Sequence, residues 1–245
     1  MRRPAARFAL LIALSLGSGG AWAAPCGAPD ELIEPQSLPA VAAAVTAGHL
    51  PVLVVGSASV NAPGSSGAES AYPARLETLL GGAFPGTRVE VTVQGGRGMT
   101  AADHLALIRD ALGQRRRALV LWQAGTVETV RGTDVGEMTD LLQAGAERVR
   151  EAGGDLILLD PQWSRFLRAN ADVESYRDAL RASAAATGAG LLSRYALMGA
   201  WAEVGTVDIE RAPRELKVAE VDKLNRCLAQ SLAELITQGV AEARR

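Results

Sequence analysis

Five short apolar runs, spaced along the whole chain, constrain this fold more than any other feature of the sequence. They cover residues 51–56, 88–93, 118–122, 155–160 and 190–192. Most of them are continuous in Val, Leu and Ile and show no alternation with polar residues. Strands that are buried on both faces of a parallel sheet have this pattern. We therefore predict five parallel strands, covered by other elements on both sides.

Helical patterns lie between these runs. The first begins near Pro39, and the others cover residues 72–80, 100–112, 137–152, 173–186 and 218–243. Thr100 and Asp103 have the spacing of a capping box at the start of one of them. Strands that alternate with helices predict a three-layer α/β/α sandwich, and right-handed crossovers favour a flavodoxin-like order. Ligands of such sheets bind beyond the carboxyl ends of the strands.

The N-terminus has the features of a secretory signal peptide, which we predict over residues 1–23. Three arginines precede a short apolar run at 8–16, and Ala-Trp-Ala at 21–23 supplies the small residues that a signal peptidase reads. Cleavage is expected after Ala23, with Ala24 as the alternative. The apolar run is too short for a mature membrane span, and no later segment is long enough. We expect a periplasmic or secreted protein with one domain over residues 24–245.

Two cysteines remain after signal removal, Cys26 and Cys227. An even number of cysteines in an exported protein favours a disulfide between them. A lipid anchor on Cys26 is the alternative, but Pro25 stands where a lipobox requires a small residue. The formal charge of −2 becomes −5 when the three N-terminal arginines are removed. This acidic balance argues against nucleic acid as a partner.

Cofactor and metal chemistry find little support in the sequence. The glycine-rich stretch Gly95–Gly98 follows a predicted strand but matches neither the P-loop nor the dinucleotide spacing. The histidines, His49 and His104, are widely separated and belong to no metal-ligand motif. We expect no cofactor and no metal.

Four loops at the predicted carboxyl edge and before the last helix form a recognisable series. They read Gly-Ser-Ala-Ser-Val at 56–60, Gly-Gly-Arg-Gly-Met-Thr at 95–100, Trp-Gln-Ala-Gly-Thr-Val-Glu at 122–128 and Pro-Arg-Glu-Leu-Lys at 213–217. Together they resemble the blocks of the SGNH/GDSL hydrolases over nearly the whole mature chain. The resemblance implies ester or acyl hydrolysis by a serine, activated by a histidine and an aspartate. It also implies an oxyanion site built from backbone N–H groups and an asparagine.

The family's functional residues are mostly replaced in this chain. The nucleophile position falls on Ala58, the asparagine position on Val127, the aspartate position on Arg214 and the histidine position on Lys217. Gly98 keeps the glycine of the second block. The resemblance therefore implies the family's fold without its catalytic side chains.

Displaced catalytic groups are the alternative. Ser57 and Ser59 flank the nucleophile position, and their hydroxyls either take its role or bond to local backbone groups. His104 lies near the start of a helix on the functional edge, whereas His49 precedes the first strand and belongs to the opposite edge. Glu128 is either a displaced acid or base or, as we prefer, a solvated carboxylate in a rim loop.

We expect an exported protein that has lost hydrolase activity and binds a ligand or a partner in the cell envelope. The alternative is a periplasmic esterase with a rearranged serine site. An acylated or anionic glycan or lipid, or another periplasmic protein, is the expected partner. Arg214 and Lys217 either make the cleft attractive to anions or pair with nearby glutamates. The candidate ligand-binding residues are Ser57, Gly98, Gln123, Glu128 and Lys217.

Overall fold

A five-stranded sheet forms the centre of the computed structural model, which describes Cys26, Pro29 and residues 32–245. The strands are β1 (His49–Gly56), β2 (Arg88–Gly95), β3 (Leu119–Gln123), β4 (Asp155–Leu159) and β5 (Gly190–Leu192). Their order is β2-β1-β3-β4-β5, and all neighbouring pairs are parallel. The predicted flavodoxin-like parallel sheet is confirmed.

Nine α-helices occur in the described part of the chain. They are α1 (Pro39–Thr46), α2 (Tyr72–Ala83), α3 (Ala101–Gln114), α4 (Thr126–Arg131), α5 (Val135–Glu151), α6 (Arg165–Asn170), α7 (Val173–Thr187), α8 (Arg194–Glu203) and α9 (Lys217–Ala243). The sequence did not predict α4, α6 or α8. The first two span less than two turns, too short for a periodic pattern, and α8 is buried around most of its circumference.

Two helix boundaries show how local signals and packing compete. The capping box at the start of α3 is confirmed, because Asp103 accepts a 2.8 Å hydrogen bond from the Thr100 N–H. In contrast, α2 runs through Gly81 and Gly82, where we expected it to end. Tertiary packing of Leu80, which is fully buried, overrides the low helix propensity of these glycines.

Alternate residues of the interior strand β1 enter two separate cores. Val52 and Val54 join the apolar side chains of α1, α2, α8 and α9 on one face of the sheet. Leu53 and Val55 join those of α3, α5 and α7 on the other face. All four valine and leucine side chains are fully buried, which explains why the run shows no polar alternation.

The predicted disulfide is present and joins Cys26 to Cys227, with 5.5 Å between their Cα atoms. Cys227 is fully buried on α9, so the bond ties the N-terminal arm to the last helix. The predicted signal peptide, residues 1–23, lies outside the described residues. Within the described part of the chain, no helix has both the length and the apolar character that a membrane span requires.

Candidate functional site

The carboxyl edge of the sheet brings together side chains from four strand ends. Ser59 follows β1, Gln123 ends β3, Asp160 follows β4 and Arg194 follows β5. Their hydrogen bonds form one continuous network at this edge. Since parallel strands all end here, residues that are far apart in the sequence meet at the place where such folds bind ligands.

Ala58 is the residue that the sequence comparison assigned to the family's nucleophile position. It is the first residue of a short 3₁₀ turn, Ala58–Asn61, directly after β1. Ser57 precedes it, is partly exposed, and its hydroxyl makes no hydrogen bond within the described part of the chain. The side chain of Ala58 is a methyl group, which cannot act as a nucleophile.

The hydroxyl of Ser59 is held between two polar side chains. It donates to Gln123 Oε1 at 2.8 Å and accepts a hydrogen bond from Arg194 at 3.2 Å. The amide of Gln123, which is buried, in turn donates to the hydroxyl of Tyr72 at 2.9 Å. An amide oxygen is not a general base, so this arrangement orients Ser59 without activating it.

Arg194 is the cation at the centre of this network, and it is only 2% exposed. Its Nε donates to the Asp160 carbonyl at 3.1 Å, and its two terminal nitrogens donate to Ser59 and, at 3.1 Å, to the Thr126 hydroxyl. Burial lowers the pKa of Arg194 below its ordinary value, an effect opposed by Tyr72 and Asp160. The sequence analysis missed this residue, because it lies beyond the weakest of the five apolar runs and matches none of the family blocks.

Asp160 is held in place by two donors. Its Oδ1 accepts from the Tyr195 N–H at 2.7 Å, and its Oδ2 accepts from Arg177 at 3.2 Å. Burial raises the pKa of Asp160, while these two donors act in the opposite direction. Both oxygens are thus engaged with the start of α8 and with α7, and Asp160 is not directed at a serine hydroxyl.

His104 lies in the wall of the cleft, as expected, but its base nitrogen is occupied. It is 1% exposed, and Nδ1 accepts a 3.2 Å hydrogen bond from the indole N–H of Trp122. Because an indole only donates, the neutral ring carries its proton on Nε2. Nε2 lies near the Gly56 carbonyl but forms no hydrogen bond of acceptable geometry with the described residues. Burial lowers the pKa of His104 to about 4.

Glu128 corrects the expectation of a solvated carboxylate in a rim loop. It is 2% exposed and belongs to the first turn of α4. Its Oε1 accepts from the Ala101 N–H at 2.5 Å, and its Oε2 accepts from the Gly125 N–H at 2.9 Å. The carboxylate therefore satisfies free N–H groups at the starts of both α3 and α4, a role that only the three-dimensional arrangement reveals.

Two glycines of the second family block, Gly98 and Gly95, have backbone positions that favour glycine, and the constraint is stricter at Gly95. At Gly98 the backbone φ is +78°, and its carbonyl accepts a 2.8 Å hydrogen bond from Arg131. Gly95 pairs with Gly56 across β1 and β2, and a Cβ atom at Gly95 would lie 1.8 Å from the Gly56 carbonyl oxygen. Only glycine permits this close approach of the two strand ends.

The last family block lies apart from the cleft. Arg214 is exposed in a 3₁₀ turn, Arg214–Leu216, and Lys217 begins α9. The ammonium of Lys217 donates to the backbone carbonyls of Ile209 and Glu210. Neither cation lines the cleft, so Arg194 provides the positive charge there.

The cleft itself is narrow. The space between its side chains does not admit a sphere the size of a water molecule. Val127, at the asparagine position, contributes an aliphatic side chain without a donor. The lining residues are Ser57, Met99, His104, Gln123, Ala124, Thr126, Val127, Glu128 and Arg194.

Comparisons with solved structures support the same fold. The structure of TesA aligns with a TM-score of 0.58 and 22% identity, covering 76% of this chain and 99% of that chain. A catalytic mutant of the acetylxylan esterase Axe2 from Geobacillus stearothermophilus aligns with a TM-score of 0.57 and 16% identity, covering 79% and 95%. The psychrotrophic esterase EstA from Pseudoalteromonas sp., inhibited by monoethylphosphonate, aligns with a TM-score of 0.55 and 16% identity. The alignment covers 76% of this chain and 98% of that chain.

Sequence comparison agrees with the structural one. A search of curated proteins found no significant match. The model of the Non-GDSL lipase-like family matches residues 25–242, which is most of the chain. Together with the esterase folds above, this match confirms the resemblance to the SGNH/GDSL hydrolases that the loop sequences indicated. The chain belongs to the Non-GDSL lipase-like family.

Proposed function

We propose that this protein is an exported member of its family that binds a ligand or a partner in the cell envelope and does not hydrolyse esters. One observation carries the proposal: Ala58 stands at the nucleophile position beside a cleft that Arg194 closes with hydrogen bonds to Ser59 and Thr126. The cleft retains its place at the carboxyl edge of the sheet, but its polar groups bond to one another.

Ester hydrolysis by a serine has three requirements that the cleft does not meet. A hydroxyl must lie within hydrogen-bond reach of a base, the base must have a free lone pair, and donors must face the developing oxyanion. Ser59 donates to an amide oxygen, and Nδ1 of His104 accepts from Trp122. The side chain of Val127 supplies no donor. Each missing group lowers the rate by orders of magnitude, and their effects are not independent.

An exported location agrees with two features of the chain. The N-terminal sequence has the pattern of a signal peptide, and the Cys26–Cys227 disulfide requires an oxidising compartment to persist. The family's fold is used by esterases that include the acetylxylan esterase named above. By analogy with these enzymes, an acylated or anionic envelope glycan or lipid is the proposed ligand class, with a periplasmic protein as the other proposed partner.

The proposal is tested by assaying the disulfide-bonded mature protein with nitrophenyl acetate and nitrophenyl butyrate and by labelling it with a fluorophosphonate probe. We expect hydrolysis at the background rate and no covalent adduct by mass spectrometry. The Ser57→Ala and Ser59→Ala variants serve as matched controls. A phosphonylated Ser57 or Ser59, lost in the corresponding variant, would establish the rearranged esterase instead.

A further inference from the structure

We propose that the cleft around Arg194 binds the carboxylate of a short aliphatic acid. This inference rests on the proposed function, because it names the ligand class of the same site. It starts from an unusual feature of Arg194: the side chain is 2% exposed, yet its three hydrogen-bond partners are neutral oxygens. The partners are the main-chain carbonyl of Asp160 and the hydroxyls of Ser59 and Thr126.

A buried guanidinium ordinarily has an anion in direct contact, since desolvation of an uncompensated charge is costly. The charge of Asp160 acts on Arg194 through space, but no described carboxylate makes a hydrogen bond to the guanidinium. Asp160 binds Arg177 and the Tyr195 N–H, and Glu128 binds the N–H groups of Ala101 and Gly125. A ligand carboxylate would supply the direct counter-charge that the described residues do not provide for Arg194.

Some N–H and O–H groups of the cleft have no hydrogen-bond acceptor among the described residues. A guanidinium has five N–H groups, and each nitrogen of Arg194 makes one hydrogen bond to the described residues, which leaves two N–H groups on its terminal nitrogens. The oxygen of Thr126 accepts from both Arg194 and the Gln162 N–H, so its own hydrogen is free to donate.

The guanidinium and the lining of the cleft favour a carboxylate among anions. A planar carboxylate matches the fork of a guanidinium, and it can enter only if lining side chains move, because the cleft does not admit a sphere the size of a water molecule. Met99 and Val127 are the partly exposed apolar side chains in its lining. They offer contact to a short aliphatic tail, and their displacement opens the cleft to the ligand.

The test is titration of the full mature protein with sodium acetate, propionate and butyrate at constant ionic strength. Propionamide is the neutral match of propionate. The indole N–H resonance of Trp122 reports on the site, because this group bonds to His104 in the cleft wall. We expect a saturable shift with the carboxylates in the millimolar range and none with propionamide. An equal response to propionamide, or no saturable response to any carboxylate, overturns the inference.

Variants locate the site. Arg194→Gln should abolish binding, and Thr126→Val should weaken it roughly tenfold by removing one donor to a charged group. Arg214→Gln, an exposed arginine outside the cleft, should leave affinity unchanged. If Arg194→Gln does not fold, Thr126→Val decides: unchanged affinity in that variant, or an equal loss in Arg214→Gln, refutes the site. Ester turnover by the wild-type sample would instead refute the proposed function, whatever the binding result.

Discussion

The guanidinium of Arg194 donates a 3.2 Å hydrogen bond to the hydroxyl of Ser59, although the two residues lie 135 positions apart in the chain. This contact joins the end of β1 to the start of α8 across the carboxyl edge of the sheet. It holds Ser59 in an orientation set by an arginine and an amide. The same contact lies in the lining of the cleft at this edge.

Loss of the Ser59 hydroxyl should destabilise the fold, because Gln123 and Arg194 would each lose a buried partner. We expect Ser59→Ala to lower the free energy of unfolding by about 1–3 kcal/mol. Ser57→Ala is the matched control, since its hydroxyl makes no hydrogen bond within the described residues, and it should stay within about 0.5 kcal/mol of wild type. Urea unfolding followed by circular dichroism measures both. Equal effects in the two variants would contradict the role assigned to Ser59.

Glu128 should contribute more to stability than an exposed acid at a comparable helix position. Glu128→Gln replaces one oxygen acceptor by an NH₂ group that faces a backbone N–H, so we expect a loss of about 1–3 kcal/mol. Glu137 lies exposed in the first turn of α5, and Glu137→Gln should lower stability by less than about 1 kcal/mol. Thermal unfolding of both variants at neutral pH tests the difference. A small effect at Glu128 would mean that its two hydrogen bonds are dispensable.

The buried His104 should make stability depend on pH in mildly acidic solution. Burial lowers its pKa from 6.5 to about 4, so between these values the unfolded chain binds a proton that the folded protein does not. The contribution is therefore fully present above pH 6.5 and declines as pH falls towards 4, by roughly 3 kcal/mol in all. His104→Phe should flatten this decline relative to wild type. Urea unfolding at pH 7 and pH 5 compares the slopes, and the loss of the Trp122 hydrogen bond affects both pH values alike.

The Cys26–Cys227 bond should stabilise the protein by restricting the unfolded chain. The two cysteines are 201 positions apart, and we expect the Cys26→Ser/Cys227→Ser variant to lose roughly 2–5 kcal/mol of unfolding free energy. Denaturant unfolding of oxidised wild type, reduced wild type and the double variant measures this loss. Thiol titration of the unfolded, unreduced protein should find no free thiol. Reduced and oxidised proteins of equal stability would show that the bond does not constrain folding.

Restoring the missing nucleophile should not restore hydrolysis. In the Ala58→Ser variant the new hydroxyl has no base with a free lone pair, since Nδ1 of His104 accepts from Trp122 and Asp160 binds Arg177. We expect nitrophenyl ester turnover to remain at background. A turnover rate well above that of the wild-type protein would show that a base is available near residue 58, and that Ala58 alone accounts for the lost activity.

The sequence by itself determined the architecture and led to the prediction that the family's catalytic groups are replaced. Continuous apolar runs such as 51–56 can be buried only between two layers, so the parallel sheet followed from local composition. The Thr100–Asp103 capping box and the Cys26–Cys227 pair were equally visible, because each depends on residue types at defined positions. The replacement of the nucleophile by Ala58 is a matter of residue identity and needed no structure.

Only the tertiary structure decided which side chains form the cleft. Arg194, Glu128 and Lys217 each carry a charge, and local sequence does not say where a long charged side chain ends. Arg194 turns inward because it follows β5 at the carboxyl edge, where oxygens beyond the ends of β1, β3 and β4 accept its N–H groups. Glu128 is buried by the free N–H groups of two helix starts, whereas Lys217 finds backbone carbonyls outside the cleft. Hydrogen-bond partners brought together by strand order, and not residue type, set these three roles.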